Sequence, residues 1–218
     1  PSLFVTNQFR PKLYNSRSYL YPSLIFIAKQ INKASKILVA DSPPPYTMCE
    51  YNLNFIKESE EKIVYVGHFT NNNLIKNKDE TVLEKLIKNN EFGYWMRTGN
   101  KSTNDGTGQR YEEVFHQNEM KNEKRIISHA RNESKIDIVT GKDGKKYSIF
   151  DAFEKKIDWI QIDIGFLSEQ EKDTILNLCK YAVVNGSHTV MGEIMGGKSK
   201  PIIGIPIYDE HTNNIKWA

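Results

Sequence analysis

Residues 181–218 read YAVVNGSHTVMGEIMGGKSKPIIGIPIYDEHTNNIKWA, and this stretch decides the fold. It opens on the apolar run Tyr181–Val184, breaks at Asn185-Gly186-Ser187, and resumes with helical spacing over His188–Met195. Gly196-Gly197 closes that helix, and Ile202–Ile205 is a second apolar run. Strand, helix and strand at this spacing predict a βαβ unit, whose parallel strands are buried on both faces. Ser187 is a natural N-cap, and Gly186 allows the backbone to approach a ligand closely. A helix that starts at the carboxyl end of a parallel strand turns free N–H groups and a positive dipole end towards whatever lies there. Phosphate is the usual occupant. Glu193 falls about one and a half turns into the helix, within reach of a ribose beside the phosphates.

The same rhythm runs upstream. Leu3–Thr6, Ile37–Ala40, Lys62–Val66, Gly93–Arg97, Ile136–Thr140 and Trp159–Ile164 are short apolar or β-branched runs that predict strands. Pro22–Ser35, Thr81–Lys88, Tyr111–Asn118 and Glu169–Lys180 predict helices. Pro43-Pro44-Pro45 stops the second strand, and Gly141-Lys142-Asp143-Gly144 predicts a tight turn. The expected class is α/β, a Rossmann-like parallel sheet with helices on both faces. Thr98-Gly99-Asn100 follows directly on a strand. Lys101–Arg110, with Gly106-Thr107-Gly108 in it, reads as a loop.

Composition narrows the classes. At 39% hydrophobic and 26% charged, a chain of 218 residues has the make-up of a folded globular protein. Thirty basic against twenty-seven acidic residues leave a net charge of +3, too small and too scattered for nucleic-acid binding. No run of about 18 apolar residues is present to span a membrane. The start, PSLFVTNQFRP, has no Met and no signal-peptide pattern, so an upstream portion is expected to be missing. Cys49 and Cys179 are too few for a metal cluster, and Cys179 sits in an apolar helical run as a buried thiol. The expected location is the cytoplasm.

The order strand, glycine turn, Glu-bearing helix, Gly-Gly, apolar strand ending in Pro206, then Glu210-His211 and Asn214, resembles the C-terminal donor site of GT-B glycosyltransferases. The UDP-glycosyltransferases and the lipid-linked N-acetylglucosaminyltransferases have this signature. The resemblance implies an N-terminal, acceptor-side domain whose tail spans residues 1–69. Tyr65-Val66-Gly67-His68 is its hinge, and a donor domain spans 70–218. It implies a diphosphate held by Thr98, Gly99, Asn100, Gly186, Ser187, His188 and Thr189, and a base against Ile164, Gly165, Phe166 and Leu167. Ribose falls to Glu193, and the transferred sugar to Glu210, His211 and Asn214. The spacing differs from the pattern by one extra residue between Gly186 and Glu193 and by Ser199-Lys200 before Pro201.

The implied reaction moves a sugar from a nucleoside diphosphate sugar, UDP-linked in these relatives, to an acceptor hydroxyl. Its partners are that donor and a sugar or lipid-linked acceptor, the latter met by peripheral association with the inner face of the membrane. Neither a metal nor a separate cofactor is implied. No catalytic base is assigned; relatives carry it early in the N-terminal domain. A nucleotide-sugar 2-epimerase of the same fold, or a nucleotide-binding module without catalysis, are the alternatives. His116 and His129 have no partner at metal-ligand spacing and read as satisfied or solvent-facing. Met191 and Met195 read as core, and Asp151, Asp158 and Asp163 as residues at element boundaries.

Overall fold

In the computed structural model the described residues are 2–6, 26, 29–31, 33–43, 45–47, 61–67, 79–96, 121–129, 137–165, 167–187, 190–191, 200–206 and 209–217. The side chains of Thr6, Asp209, Glu210, Asn213 and Trp217 are not among them. The predicted helix 111–118 and the loops around residues 98–108 lie outside the described residues. The chain forms two compact units. One comprises Pro1–Thr70, Gly186–Gly197 and Tyr208–Ala218, and the other Asn71–Asn185 and Lys198–Ile207. The sequence suggests a single division at 69/70, whereas the folded chain also returns two later segments to the first unit.

The first unit holds three parallel strands, β1 (Leu3–Thr6), β2 (Lys36–Val39) and β3 (Ile63–Tyr65), in that spatial order. Alternation decides their faces. Ile37 and Val39 are buried with Phe4, Ile63 and Tyr65 packed against them, and Ile31 and Ala34 complete this core. Val5 and Val64, on the other face, are exposed. Asp41, just past β2, is buried; it accepts a hydrogen bond from the Ser42 N–H (2.7 Å) and one from the Thr47 hydroxyl (2.5 Å). Those two bonds pin the start and finish of the proline-rich turn.

Among the described residues the second unit is built on seven strands: β4 (Gly93–Met96), β5 (Arg125–Ser128), β6 (Asp137–Gly141), β7 (Lys146–Tyr147), β8 (Trp159–Ile164), β9 (Tyr181–Val184) and β10 (Ile202–Gly204). Their spatial order is β10-β9-β4-β5-β8-β6-β7. The first five of that order are mutually parallel. β6 and β7 form an antiparallel hairpin at the edge, so the sheet is mixed where the sequence suggested a parallel one. Its centre is apolar on both faces, as a covered parallel sheet requires, with Tyr94, Ile126, Ile162, Ala182 and Val184 on one side and Trp95, Ile127 and Val183 on the other.

Among the described residues three helices accompany this sheet: α1 (Val82–Ile87), α2 (Ile149–Glu154) and α3 (Glu169–Leu178). Thr81 and Glu84 form a capping box on α1, each side chain bonding the other's backbone N–H. Glu84 is buried and also accepts from the Thr174 hydroxyl (2.6 Å) and the Gln170 amide (3.0 Å), tying α1 to α3. Burial pushes the Glu84 carboxyl up, but hydrogen bonds from Thr174, Thr81 and Gln170 outweigh it and hold it below its ordinary value. Cys179 caps α3 and is fully buried, and burial pushes its thiol up to about 11. The α2 helix, absent from the sequence expectation, starts at the Ser148 cap. It ends in a Schellman closure, with the Lys156 N–H on the Phe153 carbonyl and the Ile157 N–H on the Ala152 carbonyl. Lys156 occupies the left-handed position of that closure (φ 51°), where glycine is normal.

Lys156→Gly should therefore raise stability by about 0.5–1 kcal/mol, the relief of the left-handed backbone less the entropy glycine adds to the unfolded chain. Lys156→Ala should leave it unchanged, and urea unfolding of both variants decides. Cys179 should resist alkylation at pH 8 in the folded protein and react on unfolding. Because its folded value lies above the unfolded one, the stability it contributes is present below about pH 9 and is lost as pH rises through about 11.

Candidate functional site

The strand order fixes where a ligand can sit. From β4 the sheet grows through β5 to β8; the chain then crosses back to lay β9 on the other side of β4 and β10 beyond it. Growth reverses between β4 and β9, with Gly93 opposite Tyr181 and Trp95 opposite Val183. In open α/β sheets, ligands bind at such a switch point, outside the carboxyl ends of the strands. The chain leaves β4 into residues 97–120, so Thr98, Gly99 and Asn100, like Gly106-Thr107-Gly108, lie outside the described residues. It leaves β9 into Asn185-Gly186-Ser187.

Gly186 is buried with φ 59°, and a Cβ there would lie 2.5 Å from Ile215 Cγ1 and 3.1 Å from the His211 carbonyl oxygen. Ile215 and His211 belong to α4 (Asp209–Trp217), a helix that the sequence reading did not foresee. The glycine expected to admit a ligand is thus already required by its backbone conformation and by α4. Asn214, also on α4, donates from Nδ2 to the Gly186 carbonyl at 3.0 Å and is fully buried. The resemblance makes Asn214 a sugar contact; in the structure its amide nitrogen holds the turn. His211 is 6% exposed, and Glu210 lies on α4 with its side chain outside the described set.

Ser187 starts a helix as expected: its carbonyl accepts the Met191 N–H at 2.9 Å, and residues 190–191 are helical. Met191 is fully buried, a core residue. His188, Thr189 and Glu193 lie outside the described residues. At the end of β8, Ile164 is 2% exposed and belongs to the sheet core, so its side chain is not offered to a base. Gly165 is buried, Leu167 half-buried, and Phe166 lies outside the described residues. Asp163 is no boundary residue: it sits on β8 with its carboxylate 2.9 Å from His129 Nε2. That pairing agrees with the reading of His129 as a satisfied histidine. His116 and His68 are outside the described residues.

Two cavities, of about 540 and 390 Å³, open at the opposite edge of the sheet, where strands begin. Asn89, Asn90 and Lys124 line both, and the Lys124 ammonium is 2.9 Å from Asp158, 2.8 Å from Asn90 Oδ1 and 5.1 Å from the centre of the Trp159 ring. Asp158 also meets Lys142 at 2.8 Å, and bonds from Lys142 and Lys124 hold its carboxyl at about 2. Charges so mutually engaged stabilise an edge; they leave little for a ligand. Among the described residues no group of three His, Cys, Asp or Glu side chains is placed to hold a metal ion, and no helix is long and apolar enough to cross a membrane.

No family model matches the chain, and no curated protein matches it.

Gly186→Ala should cost about 1–3 kcal/mol, from the left-handed φ and the contact with α4. Asn214→Ala should cost a similar 1–3 kcal/mol by leaving the buried Gly186 carbonyl without its donor. Chemical denaturation measures both. A loss under about 0.5 kcal/mol in either would mean that α4 does not hold the turn.

Proposed function

We propose that this chain binds a nucleoside diphosphate sugar, as the donor-side portion of a GT-B glycosyltransferase, and takes part in moving the sugar to an acceptor hydroxyl. One observation carries the reading: the switch point between β4 and β9 in the second unit. Nucleotide diphosphates are the ligands that carboxyl edges of this topology receive, because free N–H groups at loop and helix starts converge there. The order of motifs over residues 181–218 selects a sugar nucleotide within that class.

In the proposed reaction, the bond from the anomeric carbon to the terminal diphosphate oxygen breaks, and the acceptor oxygen takes its place as its proton passes to a general base. The diphosphate leaves with the bonding pair. The helix start at Ser187 and the loop after β4 would stabilise its growing charge by preorganised donors. Glu193 would hold the ribose hydroxyls, and Glu210 with His211 would face the sugar.

Isothermal titration of UDP, GDP and CDP, followed by incubation with the matching sugar nucleotides and glycoside or lipid acceptors, tests this. Nucleoside diphosphate release that depends on the acceptor is the expected result. Isomerised sugar without acceptor would point to an epimerase, and tight binding without turnover to a non-catalytic module. Absence of nucleotide binding would overturn the whole reading. Glu193→Ala should weaken UDP binding by roughly 1.5–3 kcal/mol, the scale of a charged hydrogen bond, and an unchanged affinity would remove its ribose role.

A further inference from the structure

Lysines that are scattered along the sequence gather at the amino edge of the second unit's sheet. The parallel strands β4, β5, β8, β9 and β10 all start there, and the turn between β6 and β7 joins them, because Gly141 lies opposite Trp159. Lys85 stands in the last turn of α1 ahead of β4, Lys121 ahead of β5, Lys156 ahead of β8 and Lys200 ahead of β10. The first three are exposed and Lys200 is half-buried. Among the described residues, none of the four makes an ion pair with a carboxylate. Lys124 and Lys142 share the single carboxylate of Asp158, so that cluster keeps one positive charge over. Lys180 is paired with Glu91. Glu123, Asp143 and Glu154 oppose this charge, and the first two already accept hydrogen bonds from Tyr181 and Tyr147.

Helix dipoles account for a cation at the ends of α1 and α2, but not for Lys121 and Lys200, which stand ahead of strands. Lys156 also holds a left-handed position where glycine is normal, so a stabler residue is passed over for one with an ammonium group. The lysines have apolar company. Phe153 lines the larger cavity of this edge, and Phe150, one turn earlier on the same helical face, is 62% exposed. Spaced ammonium groups beside an exposed aromatic ring suit a surface of many anionic head groups. Close recognition of single phosphates favours arginine forks, and Arg125 is bonded to Gln161.

We infer that this amino edge docks on a membrane surface rich in anionic lipid. The inference stands apart from the nucleotide reading, whose site lies at the opposite, carboxyl edge. The test is co-sedimentation of the full chain with vesicles of phosphatidylcholine alone or with about 30% phosphatidylglycerol, over a series of salt concentrations. The chain should bind the anionic vesicles only, and less as salt rises. Lys85→Gln, Lys121→Gln and Lys156→Gln should each weaken that binding about fivefold. Lys172→Gln, in α3 where it leaves the carboxyl edge, removes the same charge and should change binding less than about twofold. Phe150→Ser should weaken binding without altering its salt dependence. Equal binding to both vesicles, binding to neither, or amino-edge variants no weaker than Lys172→Gln would overturn the inference. Tighter binding to double-stranded RNA than to anionic vesicles at equal phosphate concentration would overturn it in favour of a nucleic-acid surface.

Discussion

The rung between β4 and β9 joins stretches of chain far apart in sequence, and the rest of the second unit is arranged by it. Gly93 lies opposite Tyr181, and a side chain at Gly93 would overlap the Tyr181 ring. Trp95 meets the same ring edge-on, with centroids 6.5 Å apart. Tyr181 is anchored at its far end by donating to Glu123 at 2.9 Å, and burial with that bond pushes its hydroxyl up to about 12. The ring therefore acts as a register key: slipping β9 by one residue would remove it from the space the glycine leaves, and would turn Ala182 and Val184 onto the face that Trp95 and Val183 fill. Because the register holds, β4 and β9 finish side by side, and their carboxyl ends frame the switch point.

How far the sequence speaks depends on what each signal encodes. Runs such as Tyr181–Val184 and Trp159–Ile164 are apolar because both sheet faces are covered, and burial of that kind is written in composition. β5 is hidden because only Ile126 and Ile127 carry the signal, between Lys124-Arg125 on one side and His129 on the other. Its flanking residues find partners distant in the chain, Lys124 with Asp158, Arg125 with Gln161 and His129 with Asp163. The hairpin strand β7 spans two residues, too few for any period. α4 fails for a different reason: the resemblance gave Glu210, His211 and Asn214 ligand roles, which obscured their helical spacing.

The candidate site divides along the same line. The turn after β9 was legible, since a strand followed by Asn185-Gly186-Ser187 carries its own turn and cap chemistry. The division of labour within it was not. Gly186 serves a left-handed backbone and the approach of α4, and Asn214 serves the Gly186 carbonyl. Both are long-range demands that local spacing cannot express. His129 read as satisfied or solvent-facing, and its partner could not be named because it sits on another strand, brought opposite by the β5–β8 register.

The β4–β9 rung also has a consequence for synthesis. As the chain emerges from the ribosome, β4 is made well before β9, and until then its outer edge offers unpaired N–H and C=O groups beside Tyr94 and Trp95. An apolar strand edge waiting in that state can pair with a neighbouring nascent chain. The glycine that later receives Tyr181 leaves the start of that edge without a side chain to obstruct such pairing. The fold is thus most exposed to misassembly in the interval between making the lock and making its key.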